Sequence, residues 1–213
     1  MQRPTAAVRY AILGVGVIYT VLLFVSGVHL NTWYRYVVAA LPAAGSIALA
    51  VWDVWAWRLP MLTRLTHRPR IDGLWKVELT PTGESHIPAG GNRGPISGFL
   101  VISQSYWSIY VRQFTAESAS RSRAFFWEHP DGAEAENLVF VYENVPQQQF
   151  EHRSQRHFGT CSLDIGNRGP KTITGVYFTD RYTKGDMRLT LVDRSKSQGS
   201  FEEAQSYVSS PRT

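Results

Sequence analysis

The sequence predicts an all-β fold, an antiparallel eight-stranded up-and-down β-barrel, preceded by a two-helix transmembrane hairpin. Three observations carry this expectation. From Tyr10 to Tyr34, and again from Tyr36 to Trp52, the chain holds no Asp, Glu, Lys or Arg. Each run is long enough to cross about 30 Å of hydrocarbon at about 1.5 Å per residue. From residue 71 onward the apolar period shortens toward two, in short segments rich in Val, Ile, Thr and aromatics. No convincing helix separates those segments, so an antiparallel meander follows. Closing it as a barrel removes both exposed edges and leaves an interior for side chains or one small ligand; an open sandwich is the alternative.

The expected divisions are a hairpin over 1–58, with helices at about 10–30 and 37–57, a basic connector over 59–70, a barrel over 71–193 and a flexible tail over 194–213. In the first helix Gly14, Gly16, Ser26 and Gly27 let a neighbouring helix approach closely, within the chain or between protomers. Trp33, Tyr34 and Tyr36 form one aromatic belt and Trp52, Trp55 and Trp57 another. Pro42 is expected to kink the second helix. Asp53 is the one acid of the apolar region, and hydration or pairing with Arg58 is favoured over a proton-relay role. A cleaved signal peptide fits poorly, because the first run is too long and no A-x-A site follows Leu30.

The net charge of +5 is unevenly placed. Between Ile71 and Asp193 there are 12 Lys or Arg against 14 Asp or Glu, so the barrel segment is near neutral. The excess flanks the apolar runs: Arg3 and Arg9 before them, Arg58, Arg64, Arg68 and Arg70 after. That argues against a nucleic-acid-binding domain, which would carry its own basic face. Because only Arg35 lies in the hairpin loop, it argues that both termini are cytoplasmic, with the connector on the anionic inner leaflet. The single Cys161 excludes an internal disulfide and fits a reducing compartment.

The expected strands are Ile71–Thr80, Ile96–Gln104, Trp107–Thr115, Ser118–His129, Leu138–Val145, Phe158–Ile165, Thr172–Asp180 and Met187–Asp193. The tail from Ser195 is Ser- and Gln-rich and is expected to be mobile. The tetrapeptide Asn-Arg-Gly-Pro, at Asn92–Pro95 and Asn167–Pro170, reads as turn chemistry rather than as a phosphate grip. No catalytic set emerges, and an enzyme reading is disfavoured. His152 and His157 lack the spacing of a zinc site, Cys161 reads as a small buried hydrophobe, and no cofactor motif is present.

A binding interior is better supported. Ser118, Ser120 and Ser122 share one strand face by period-two geometry, and an apolar core would not hold three hydroxyls unless something polar met them. The alternative turns them to solvent. Tyr142 and Asn144 share a face with Leu138 and Phe140; Tyr177 and Thr179 share another and lead to Arg181. Aromatic surface, hydroxyl and amide donors and one guanidinium together suit a planar base attached to a phosphate.

At these residues the chain resembles the two-transmembrane, β-strand-rich effectors of bacterial cyclic-oligonucleotide antiphage defence, the CBASS systems. The matching features are the paired helices, Gly73-x-Trp75, Ser118-x-Ser120-x-Ser122, Tyr142-x-Asn144-x-Pro146, His157-x-Gly159-Thr160, and Gly175-x-Tyr177-x-Thr179-x-Arg181 leading to Gly185. The resemblance implies a cytosolic barrel that senses a cyclic dinucleotide made by a partner nucleotidyltransferase. It also implies ligand-dependent self-association of the helices that disrupts the inner membrane and kills or arrests the cell. In that reading Trp75, Tyr142 and Tyr177 are lining or stacking groups. Ser118, Ser120, Asn144 and Thr179 are hydrogen-bond partners, and Arg181 is the counter-charge to phosphate. Two rivals stand beside it: a membrane-tethered, lipocalin-like carrier with an apolar cavity, and a scaffold whose interior is filled.

Overall fold

The computed structural model describes residues 6–25, 31–59, 61–62, 68–128, 136–152 and 154–210. The chain divides into two compact units, Gln2–Thr66 with Ser105–Trp107, and His67–Gln104 with Ser108–Thr213.

The first unit contains α1 (Ala6–Val25), α2 (Thr32–Val54) and a 3-10 turn, Ala56–Arg58. Both helices start earlier than expected. Nothing in Thr32–Tyr36 is a Gly or Pro, so the aromatic belt and Arg35 are taken into α2 instead of forming a linker. A Cβ at Gly16 would overlap the Pro42 side chain, so α1 and α2 meet at this pair. Ser26, Gly27 and half of the connector (residues 60 and 63–67) lie outside the described residues. Asp53 is 6 % exposed, and its carboxylate accepts a hydrogen bond from the Trp107 backbone N–H at 3.2 Å. Its carbonyl accepts the Trp57 indole N–H at 3.1 Å. Both helices expose large apolar side chains, among them Val15, Ile18, Phe24, Trp33 and Ile47. Among the described residues no helix is long and apolar enough to cross a membrane.

The second unit is a closed antiparallel barrel with its strands in sequence order. They are β1 (Gly73–Pro81), β2 (Ile96–Gln104), β3 (Ile109–Thr115), β4 (Ser118–Glu128), β5 (Glu136–Pro146), β6 (His157–Ile165), β7 (Thr172–Thr179) and β8 (Lys184–Asp193). β8 pairs with β1, so no strand edge is left open. The β2 limits coincide with the expected ones. β8 begins three residues early because Lys184-Gly185-Asp186 carries no apolar signal, yet pairs with β7 and β1. His129 lies outside the described residues.

Alternation along each strand decides what points inward. Trp75 and Val77, Leu100 and Ile102, Leu138 and Phe140, Leu163 and Ile165, and Met187 and Leu189 form one buried cluster. Most of its largest members crowd the end where β1, β3, β5 and β7 begin. That end is closed. There the Gln104 side chain accepts from Ile71 N and donates to Pro69 O, both at 2.8 Å, satisfying buried backbone groups. The β1–β8 closure is pinned by Asp72, 1 % exposed, which accepts from Arg70 Nε at 2.8 Å and faces Lys196 Nζ at 3.4 Å. A carboxylate this deep needs such partners.

Three ladders depart from regularity. The β1–β8 pairing shifts register between Leu74 and Trp75. Between β3 and β4 the pairing covers only Arg112–Phe114 against Ala119–Arg121. Beyond it the Ser122 hydroxyl replaces the missing carbonyl and accepts from Val111 N at 2.9 Å. A register shift between Ser122 and Ala124 then turns Phe125 and Trp127 toward the core.

The tail does not behave as expected. It forms α3 (Phe201–Ser209), whose start is capped from both sides: Ser200 Oγ accepts from Glu203 N, and the Glu203 carboxylate accepts from Gly199 N, one residue before the N-cap, at 2.7 Å. Phe201, Ala204 and Tyr207 share one face and cover Leu74, Phe99, Val101 and Phe114 on the outside of β1–β3. Burying that apolar stripe is what orders the segment.

Candidate functional site

The strand ends opposite the closed end leave a cavity of about 260 Å³. Inward residues across four neighbouring strands are in direct register: Gln113 with Ser120, Ser120 with Asn144, and Asn144 with His157. This polar row is one wall. Ser120, 7 % exposed, donates to Asn144 Oδ1 at 2.8 Å, which commits that oxygen and leaves the amide N–H groups to donate. His157 Nδ1 lies 2.9 Å from the Gln155 carbonyl, so this contact assigns the proton to Nδ1 and leaves Nε2 as an acceptor. Burial pushes the imidazole pKa down, and the nearby Arg181 acts in the same direction.

The floor is aromatic. Tyr142 and Tyr177 point inward from β5 and β7, with Cys161 of β6 in register between Phe140 and Tyr177. Burial is the main cause that raises the Tyr142 hydroxyl and the Cys161 thiol far above their ordinary range, and it pushes Tyr177 up to about 12. Burial therefore favours the protonated, neutral form of all three. Room for Tyr142 comes from Gly159, its ladder partner, where a Cβ would overlap the tyrosine ring and hydroxyl.

The opposite wall is the β7–β8 hairpin. Thr179 N donates to Thr183 O at 2.9 Å, and Tyr182 takes a left-handed φ of 62° to close the turn. Asp180 turns outward and accepts from Phe158 N at 3.0 Å, while Arg181 lines the cavity. Arg181 Nη1 donates to Ser154 Oγ at 3.3 Å; its buried Nε has no hydrogen-bond partner. Burial lowers the guanidinium pKa from its usual value, although Asp180 opposes the shift. Arg181 is the one Lys or Arg among the described residues that line the cavity.

Seven of the eight residues expected from sequence therefore surround one space: Ser118, Ser120, Tyr142, Asn144, Tyr177, Thr179 and Arg181. Trp75 is not among them. It is fully buried at the closed end and donates its indole N–H to the Ile71 carbonyl at 2.9 Å. Trp75 pairs with Leu100, and Leu100 with Gln113, so it does belong to the row that carries the polar wall. Stagger of the strands carries that row along the barrel axis, and its β1 end falls in the filled half. Ser122 faces inward but serves the β3–β4 seam. Gln113, Ser154, His157 and Thr183 were not expected. Only the register brings His157 beside Asn144, although Gly159 two residues on is a visible sign that something bulky lies opposite.

The mouth is edged by the β1–β2 loop, including Ile87, Pro88 and Asn92. Asn92 Oδ1 accepts from Gly94 N at 2.8 Å, and Asn167 Oδ1 from Gly169 N at 3.1 Å, so both Asn-Arg-Gly-Pro copies form side-chain-capped turns.

A closed eight-stranded barrel, filled at one end and holding polar groups, two tyrosines and a guanidinium with one unpartnered N–H at the other, has the chemistry that suits a small anionic, aromatic ligand. The family model described as Cap15, cyclic dinucleotide receptor domain, matches residues 66–191, and the chain belongs to that family. Its barrel is thus a cyclic dinucleotide receptor domain of the CBASS defence effectors. A comparison with curated proteins finds no match.

Proposed function

We propose that this chain is a membrane-anchored, non-enzymatic effector. Its barrel binds a cyclic dinucleotide in the open-end cavity, and occupancy controls association of α1 and α2 with those of other copies. The cavity would lie in the cytoplasm, where a partner nucleotidyltransferase supplies the ligand, and helix association would disrupt the inner membrane. The observation that carries the binding half is the buried, unpartnered Nε of Arg181 beside Tyr142 and Tyr177. A buried donor without a partner costs about 1–3 kcal/mol, more when charged, and a phosphate oxygen would recover that cost.

Support for the membrane half comes from the sequence and from exposure. The uncharged run that begins at Tyr10 continues past the end of α1, through residues 26–30 that lie outside the described ones. Val17, Ile18, Leu22 and Phe24 of α1, with Leu41, Ile47 and Val51 of α2, are exposed. Burying a side chain of this kind is worth about 1.5–3 kcal/mol, so hydrocarbon or another copy's helices would stabilise them. Ligand energy can act on association only through different affinities for the separate and associated states.

The lipocalin-like alternative fits less well, because an acyl chain would have to desolvate the polar row and Arg181. The filled-scaffold alternative does not account for a cavity of about 260 Å³. The test is a thermal-shift titration of the full chain in detergent against cyclic di- and trinucleotides. A ligand at about a hundred times its Kd adds about 2.7 kcal/mol. No shift with any of them, or a shift only with fatty acids, would overturn the reading.

A further inference from the structure

We infer that the cavity admits one nucleotide of its cyclic dinucleotide and reads one base, while the second nucleotide sits at the mouth in water. This rests on the receptor reading above and deepens it. Volume is the first argument. Sites that bury a drug-sized ligand hold about 300–1,000 Å³, and this cavity holds about 260 Å³. A ring of two riboses, two phosphates and two bases is larger than such a ligand. Nor can it go deeper, because Tyr142 and Tyr177, 9 % and 7 % exposed, form the floor over a packed apolar core.

Charge is the second argument. The ligand carries two phosphodiesters, and Arg181 is the single Lys or Arg among the described residues that line the cavity. The neighbouring His157 is held neutral by burial and by Arg181. A second phosphate taken inside would be desolvated without a counter-charge, which is strongly unfavourable. It stays outside, in water.

The third argument is the hydrogen-bonding set. Ser120 commits Asn144 Oδ1, and Gln155 O commits His157 Nδ1–H. What the wall then offers is the Asn144 amide, whose nitrogen lies 3.5 Å from His157 Nδ1, the His157 Nε2 acceptor, and the Gln113 carboxamide at the far end of the same row. These amide and imidazole groups lie along one row on one wall, which suits the edge of a single base. Base toward the β3–β6 wall and phosphate toward the β7–β8 hairpin together make one nucleotide.

The test is calorimetry of the full chain in detergent with cyclic dinucleotides of one base, of two different bases, and in both 3′–5′ and 2′–5′ linkages. If one base is read, a ligand with two preferred bases and a mixed ligand with one differ by only about twofold in affinity, the statistical factor for two equivalent presentations. The ligand with none is at least about tenfold weaker. Asn144→Leu collapses that preference, whereas Arg181→Gln weakens all the ligands alike. A mixed ligand at least about tenfold tighter than both of its symmetric relatives would overturn the inference, because two different bases would then be read. Equal binding by all of them would overturn it too, since no base would be read. Binding by none would instead overturn the receptor reading itself.

Discussion

Gly159 of β6 sits directly across the ladder from Tyr142 of β5, and a methyl group on Gly159 would occupy the space of the tyrosine ring and hydroxyl. The floor of the cavity therefore depends on a missing side chain. Gly159→Ala forces Tyr142 off its rotamer into the cavity or against its neighbours. Overpacking of this kind costs about 1–3 kcal/mol. Denaturation of the variant should show that loss, and calorimetry should show weakened nucleotide binding. An alanine variant as stable as the wild type and with equal affinity would mean that the ring is free to move.

Arg181 separates binding from stability. Its Nε is buried without a partner and its Nη1 makes one long contact to Ser154, so the guanidinium contributes little to folding. Arg181→Gln should leave the melting temperature unchanged or slightly raised. Loss of a charged hydrogen bond to phosphate costs about 1.5–3 kcal/mol, or about 10- to 150-fold in Kd. A variant that melts much earlier would assign the residue to folding instead.

Much of the barrel is legible in the sequence because one face of each strand is buried, which imposes period two on the choice of residue. Tyr142, Asn144, Tyr177 and Thr179 could be given a face by that rule alone. What parity does not reveal is depth. Trp75 has the correct face and the wrong height, since the stagger that lowers it is a property of the whole closed sheet. His157 follows a polar loop and has no period of its own; only its register with Asn144 places it. The C-terminal helix was missed because polar composition outweighed its Ser200 N-cap and the i, i+3, i+6 spacing of Phe201, Ala204 and Tyr207. Glu143 has an outward position, yet it is buried between Arg123 and Arg156, two charges that no alternation rule brings together.

Ser122 carries the short β3–β4 ladder. Ser122→Ala leaves the Val111 N–H without its acceptor, which costs about 1–3 kcal/mol for a buried backbone donor. Hydrogen exchange should then accelerate at Ile109–Val111 before it does in β5 or β6. Unchanged protection there would show that the hydroxyl is dispensable.

His157 predicts a pH dependence. Its folded pKa is lowered, chiefly by burial, so the unfolded chain binds the proton more readily. Stability from this residue is therefore fully present above the ordinary imidazole pKa of about 6.5 and is lost as pH falls from there toward the folded value. The stability of His157→Gln, followed by melting curves, should depend less on pH than that of the wild type below about pH 6.5. Parallel curves would mean that the imidazole is not held neutral.

The most direct test of the receptor claim is photo-crosslinking of the full chain with a cyclic dinucleotide that carries a diazirine on one base, followed by mapping of the labelled peptides. The account predicts label on the segments that hold Gln113 to Ser120 and Asn144 to His157, competed away by unlabelled ligand. Label confined to the outer faces of the strands or to α1 and α2, or label insensitive to competitor, would contradict it.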